Sequence, residues 1–363
     1  MQLSDFDYVL PSQLIAQHPL RSRDASLMMV LDRVSSGDHD RGFAELPGLL
    51  RGDELIVVNN ARVIPARLLG RRKKATALDG AAESSPAENE IEVLLSRQLD
   101  DFSWEALVRP GKKLHVGQRV QFGGGELEAE VTAHANQGQR TLRFSSTRDT
   151  AVNDEINRLG HIPLPPYIDR VDEASDRERY QTIFASQPGA IAAPTAGLHF
   201  TPEVVERLRE RGIEICELTL HVGLGTFQPI RTETLEGHVM HRETYEIPAK
   251  TAEQICRAKS AGRPILAVGT TTVRTLEAAA LYAKEIDSSQ LVVPGRGEAR
   301  LFITPGFRFQ VVDALLTNFH LPRSTLLALV CALAGRERVL AAYQHAVELG
   351  YRFYSYGDCM LIR

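Results

Sequence analysis

Four short stretches of this chain place polar side chains directly after apolar, strand-like runs. Thr195, Gly197 and His199 follow Ala190–Ala193; His221, Gly223, Gly225 and Thr226 follow Ile213–Leu220. Thr270, Thr271, Thr272 and Arg274 follow Pro264–Val268, and Asn318 and His320 follow Phe309–Leu316. In open α/β sheets, ligands bind beyond the carboxyl ends of the strands. One such cluster is an ordinary capped turn; four together predict one composite site. Three of them carry a histidine, whose proton moves near neutral pH. Gly269-Thr270-Thr271-Thr272 adds backbone N–H groups and hydroxyls at a helix N-terminus, a setting that welcomes a carboxylate or phosphate. Arg274 lies in that first turn.

Other spacings exclude chemistry. Gly223-Leu224-Gly225 begins like a dinucleotide fingerprint, but Gln228 stands where the third glycine belongs, and Gly295-Arg296-Gly297 fails likewise at Arg300. There is no Walker lysine. His238 and His241 could share a metal on a helix, with Glu243 beyond. Neither an HExxH motif nor a suitable cysteine accompanies them, so no metal is predicted. Tyr351–Met360 gathers four aromatics around Arg352 and Asp358, either as core packing or as a surface for stacking on a purine.

The elements that must hold these residues follow from pattern. From about Asp149, apolar runs alternate with helical periods, the signature of a parallel sheet with crossover helices. Thr201 and Pro202 open one helix and Gly212 ends it. Val273–Ala283 forms another, Ser324 caps a third, and Gly335 and Gly350 bracket a fourth. A strand at Glu54–Val58 joins the first sixty residues to this domain. Between lie short alternating patterns at Arg62–Leu69, Glu90–Ser96, Trp104–Val108, Arg119–Phe122, Leu127–Ala133 and Arg140–Phe144, punctuated by glycines. They predict a small antiparallel barrel. The fold class expected is α/β: a mixed or parallel-sheet α/β domain (1–61 and 147–363) with an inserted antiparallel β-barrel (62–146). Within the barrel, 75–89 is small, polar and acidic, and reads as a flexible loop.

Composition bounds the partners. The longest strongly apolar run, Leu326–Ala334, is far short of the ~20 residues of a membrane span. The start carries Asp5 and Asp7, unlike a secretory signal. Four scattered cysteines without a CxxC pair fit a reducing cytoplasm. The net charge of −4 argues against coating nucleic acid over the whole surface, but leaves room for one basic face. Arg62, Arg67, Arg71, Arg72, Lys73 and Lys74 carry no acid between them, and Arg109, Lys112 and Lys113 follow in the same barrel. This is a solvated face or an RNA backbone contact, the latter with steep salt dependence.

At these residues the chain closely resembles the S-adenosylmethionine:tRNA ribosyltransferase-isomerase family of the queuosine pathway. Matching stretches include FDYVLPSQLIAQHP, VVNNARVIPARL, GHIPLPPYI, AAPTAGLHFT, LTLHVGLGTFQPI, AVGTTTVRTLE, LLTNFHLPRSTLLALV and YRFYSYGDCMLI. Lys73–Asn89 departs as a longer insertion. The resemblance implies a two-domain protein that uses S-adenosylmethionine as ribosyl donor, with no metal or organic cofactor. The acceptor it implies is 7-aminomethyl-7-deazaguanine at the wobble position of tRNAs with GUN anticodons. The product is epoxyqueuosine, and adenine and methionine leave. A monomer with no membrane contact is expected.

That chemistry needs a base to remove a hydrogen beside the sulfonium, an acid for departing adenine and an anchor for the methionine carboxylate. His199 and His221 are expected as the acid–base pair on neighbouring strand ends. Asn318 and His320 would hold adenine or ribose hydroxyls. Thr270, Thr271 and Arg274 would take the carboxylate, Asp358 the ammonium, and Thr195, Gly197, Gly223 and Thr226 would complete the donor site. The basic barrel residues would grip the anticodon stem. An S-adenosylmethionine-dependent RNA methyltransferase is the alternative enzyme, although its glycine-rich strand–loop–helix signature is missing. A non-enzymatic RNA-binding module is the third reading.

Overall fold

The structure, a computed structural model, describes residues 1–33, 38–73, 90–134, 138–223, 237, 240 and 242–363, with the backbone alone at Lys113. In chain order its strands are β1 (Leu27–Leu31), β2 (Asp38–Gly42), β3 (Leu55–Asn59), β4 (Ala61–Val63), β5 (Arg67–Arg72), β6 (Glu90–Gln98), β7 (Ser103–Arg109), β8 (Arg119–Phe122) and β9 (Leu127–His134). They continue with β10 (Gln139–Ser146), β11 (Gln187–Ala190), β12 (Glu214–Leu220), β13 (Glu243–Ile247), β14 (Ile265–Val268), β15 (Gly295–Ala299), β16 (Ala314–Asn318) and β17 (Cys359–Ile362). The helices are α1 (Leu46–Leu49), α2 (Val152–Leu159), α3 (Asp176–Arg179), α4 (Pro202–Glu210), α5 (Ala249–Ser260), α6 (Thr270–Glu285), α7 (Thr325–Ala334) and α8 (Arg336–Glu348).

The main layer is a nine-stranded mixed sheet in the order β15-β13-β12-β3-β14-β16-β17-β1-β2. Its centre, β12-β3-β14-β16, is parallel, so four strand ends point the same way. Both faces are covered, which is why these strands read as continuous apolar runs. Side chains alternate across the pleat: Leu55 and Val57 enter one core, Ile56 and Val58 the other. Thr201 caps α4 by accepting from Val204 N at 3.3 Å, and Ser324 caps α7 from Leu327 N at 3.2 Å. Such caps each contribute about 1 kcal/mol.

The β patterns between the two parts of the sheet close into a barrel, β10-β7-β6-β5-β8-β9. Ile91, Val93 and Leu95 of β6 fill it with Leu127, Ala129 and Val131 of β9. A Cβ at Gly70 would lie 2.5 Å from the Phe122 ring, so β5 crosses β8 only with glycine there. Val152 and Ile156 of α2 join the barrel core. Arg67 and His161 exchange backbone bonds at 3.2 and 2.8 Å where the chain returns to the sheet.

Three sequence expectations change. The barrel begins at β5. Arg62 lies on β4, which pairs in parallel with β11 as a separate two-stranded sheet. A short alternating strand reads the same whichever partner it takes. The strand-like run expected at Ala190–Ala193 is shifted: the strand is β11, which ends at Ala190 and lies outside the main sheet, and Ile191–Ala193 is not strand. Helix α6 starts at Thr270 rather than Val273, because Gly269 turns with φ 89° and accepts from Val273 N at 3.3 Å. The loop 75–89 lies outside the described residues.

Candidate active site

The parallel centre of the sheet delivers its polar ends to one edge, and direct contacts join them in a row. At the β16 end, Asn318 Nδ2 lies 3.1 Å from His199 Nε2. His199 arrives on a short 3₁₀ turn, Thr195–His199, laid beside β16. Within that turn, Ala196 Cβ lies 3.7 Å from where a Cβ on Gly269 would sit. At the β3 end, Asn59 Nδ2 donates to Thr271 Oγ1 at 3.5 Å and to Leu220 O at 3.0 Å, tying α6 to β12. Arg274 donates to the Glu243 carboxylate, which accepts from Gly223 N at 3.3 Å. The row therefore runs from Asn318 and His199 past Thr271 to Gly223 and His221.

His199 is fully engaged. Asn318 Nδ2 also faces the carbonyls of Tyr354 (3.1 Å) and Asp358 (3.4 Å), which its own oxygen could not. Nε2 of His199 must then accept, and the proton sits on Nδ1, 2.7 Å from Ser26 Oγ. Burial, with Arg23 and Arg352 adding, pushes His199 down to about 3. His320 is likewise pushed to about 3 by burial, with Nε2 2.8 Å from Thr317 Oγ1. Neither is a proton donor at neutral pH.

His221 differs. Its Nδ1 is buried with no partner among the described residues. Its ring rests on Gly189, where φ is 131° and a Cβ would lie 3.1 Å from the imidazole. Burial lowers its pKa, Glu246 opposes and Arg296 adds. His199 and His221 are not on neighbouring strand ends, as the sequence suggested. His221 follows β12 and His199 packs at the end of β16, and β3 and β14 separate those strand ends by roughly 14 Å at ~4.8 Å per strand.

Other expected residues have prior commitments. Asp358 accepts from Leu27 N (2.8 Å) and Arg352 N (2.7 Å) and clamps β1 to the C-terminal turn, so each of its oxygens already serves the backbone. Burial raises its pKa. Arg274 and Glu243 leave only 7% and 4% of their side chains exposed, and Arg274 Nη2 has no partner among the described residues. Thr272 turns back to Val268 O at 2.7 Å, while Thr270 and Thr271 open α6, whose first N–H groups have no helical partner. Gly197 packs on Thr182, where a Cβ would lie 2.9 Å away. Tyr351, Phe353, Tyr354 and Tyr356 are at most 5% exposed and serve as core, not as an open stacking surface. Thr226, Gly225, His238 and His241 lie outside the described residues. Among the described residues no group of three His, Cys, Asp or Glu is placed to hold a metal, and no helix is long and apolar enough to cross a membrane.

The basic residues divide. Arg67 pairs with Glu92 (3.2 Å) and Lys73 with Glu128 (2.8 Å), and Arg72 is also engaged. Arg71, Arg109 and Lys112 are exposed on the barrel, and Arg62 is exposed on β4. Arg71 and Arg109 border one concave face of about 940 Å³. Lys74 and the Lys113 side chain lie outside the described residues.

Residues 3–362 match the family described as queuosine biosynthesis protein. The chain belongs to the queuosine biosynthesis protein family. Among its relatives, one from Carboxydothermus hydrogenoformans is 49% identical over 363 residues, and one from Desulfitobacterium hafniense is 47% identical over 362 residues. Both matches cover 100% of each chain, and both proteins are named S-adenosylmethionine:tRNA ribosyltransferase-isomerase. A crystal structure of S-adenosylmethionine tRNA ribosyltransferase from Thermotoga maritima is 36% identical, with a TM-score of 0.54 over 99% of this chain and 100% of that one. The α/β fold with a β-barrel is thus the family's fold.

Sequence reasoning missed Ser26, Asn59 and Gly189, and met Glu243 only as a companion of His238 and His241, not as the partner of Arg274. Asn59 was findable, being a polar residue directly after the apolar run Leu55–Val58. Ser26 and Gly189 meet their histidines across 173 and 32 residues of chain, with no local signal.

Proposed function

We infer that this chain is a ribosyltransferase-isomerase that moves the ribosyl group of S-adenosylmethionine onto a base of tRNA and isomerises it, releasing adenine and methionine. Full-length identity of 47–49% to relatives bearing that name carries the reading. The acceptor is 7-aminomethyl-7-deazaguanine at the wobble position of tRNAs with GUN anticodons, and the product is epoxyqueuosine. The protein acts as a monomer, with no metal or cofactor.

The donor lies along the strand-end row. Its sulfonium acidifies the hydrogens on the ribose 5′ carbon, and a neutral base must take one. His221 suits that role, because burial keeps it neutral and Nδ1 is unclaimed among the described residues. His199 is the positioning residue, not the acid, since both its nitrogens are occupied. It holds Asn318, whose Oδ1 is buried without a partner and suits an adenine amino group or ribose hydroxyl. The opening N–H groups of α6 and Arg274 Nη2 suit the methionine carboxylate. Arg71, Arg109, Lys112 and Arg62 supply positive charge for the tRNA backbone, which positions without reading sequence. The modified base must leave its stack to reach the row.

Product analysis with S-adenosylmethionine and tRNA carrying the aminomethyl base tests this reading. Free adenine supports ribosyl transfer. S-adenosylhomocysteine would establish methyl transfer, and no donor consumption would leave an RNA-binding module.

A further inference from the structure

Beside His199, three arginines converge without an ion-paired carboxylate among the described residues; Glu178 and Asp358 act on Arg23 and Arg352 only through their charge. Among the described residues Arg23, Arg179 and Arg352 form no ion pair, and each donates only to backbone carbonyls. Arg23 reaches Leu198 O (3.3 Å) and Glu178 O (3.0 Å); Arg179 reaches Arg21 O (3.0 Å) and Leu20 O; Arg352 reaches His18 O. Asp358 favours the charge on Arg352, but each of its oxygens already accepts from a backbone N–H and none bonds the guanidinium. Arg179 Nε and Arg352 Nη1 are buried donors with no partner among the described residues. Arg23 and Arg179 line an open cleft with Ser26, His199, Ser355 and Tyr356. Its enclosed part holds about 20 Å³, room for about one water-sized atom.

Half-buried guanidiniums repel one another: burial and then Arg179 lower the pKa of Arg23, and Glu178 opposes them only in part. Buried donors without acceptors cost more than donors paired or left in water. A fold that keeps both conditions around one cleft is arranged for an anion arriving from outside. Guanidinium is the side chain suited to paired bonds with carboxylate and phosphate oxygens.

The geometry points to an oxyanion subsite in this cleft, formed by Arg23 and Arg179 with Arg352 behind, that takes one charged group of a substrate: a tRNA backbone phosphate, or the donor's methionine carboxylate in place of its seat at the head of α6. One anionic oxygen fits the enclosed space and the remainder lies in the open mouth. The subsite rests on the functional reading only for which oxyanions are offered to it. It adjoins the row through His199, where Arg23 and Arg352 add to burial in disfavouring the charged ring.

The unmodified protein gives the first test. Arginine-selective labelling with phenylglyoxal is mapped by mass spectrometry at Arg23 and Arg179, with exposed Arg21 as internal control. Protection by tRNA and not by S-adenosylmethionine assigns a phosphate; the reverse assigns the carboxylate. Protection by sulfate alone keeps the subsite and counts against the functional reading. No protection by any of the three overturns the proposal. Arg23→Gln then separates the sources by affinity. A phosphate contact predicts that the log–log salt slope of tRNA binding falls by about one, with donor affinity unchanged. A carboxylate contact predicts roughly tenfold weaker donor binding with the slope intact, as for one lost charge-assisted contact. A folded variant with neither change overturns it as well.

Discussion

Glu243→Gln probes how Arg274 is held. In the native fold the two side chains are 4% and 7% exposed and bonded to each other, and Arg274 Nε reaches Leu301 O at 3.3 Å. The substitution keeps shape and an acceptor oxygen but removes the charge, leaving a guanidinium buried without compensation. Breaking a buried pair from one side costs roughly 3–5 kcal/mol, and the retained amide oxygen places the loss near the lower figure. At about 2–4 °C per kcal/mol, the scaling for domains of 150–250 residues, a loss of about 3 kcal/mol lowers the melting temperature by roughly 6–12 °C. Adding Arg274→Met removes the stranded charge, so the double variant should recover much of that loss. Thermal unfolding of the wild type, both single variants and the double variant measures this. A Glu243→Gln melting point within a degree or two of wild type would mean that Arg274 is solvated, and that no fixed guanidinium stands at the head of α6.

Three further outcomes follow from the same geometry. His199 and His320 sit near 3 when folded and near 6.5 when unfolded. The unfolded chain therefore binds more protons below about pH 6.5, and stability falls as pH drops from there toward 3. Between pH 6.5 and 5, before most carboxylates titrate, the unfolding midpoint should decline in wild type and decline less in His199→Asn; identical slopes would refute the assignment. Gly189→Ala places a Cβ 3.1 Å from the His221 ring at a backbone φ of 131°. It should slow adenine release while leaving tRNA affinity unchanged, and wild-type turnover would show that the ring is not held there. Arg71→Glu with Arg109→Glu should weaken tRNA binding and lower the salt slope by about two, at about one per phosphate contact; an unchanged slope would return both to plain surface charge.

Legibility in the sequence followed the range of the signal. The barrel was readable because each strand alternates over its own length and glycines mark the turns. Arg62 was misplaced because three residues of alternation do not name a partner strand. The strand-end residues were readable because Thr270, Thr271, Asn318 and His221 each follow an apolar run within a few positions. What they do was not readable, since it depends on contacts across the chain. Asn318 meets His199 over 119 residues, and only the carbonyls of Tyr354 and Asp358 fix which ring nitrogen holds the proton. Asp358 looked available because backbone N–H partners leave no mark in sequence. Arg23 and Arg179 escaped notice, and Arg352 was read only with Asp358, because the three are scattered, whereas Arg71, Arg72 and Lys73 form a visible run.

The measurement closest to the centre of this account is adenine release by His221→Gln, taken with donor affinity in the same preparation. If His221 removes the proton beside the sulfonium, release should fall by about 100-fold or more, as for loss of a general base, while S-adenosylmethionine binds as before. Release at near wild-type rates, with an unaltered pH profile, would contradict the placement of the chemistry along this edge of the sheet.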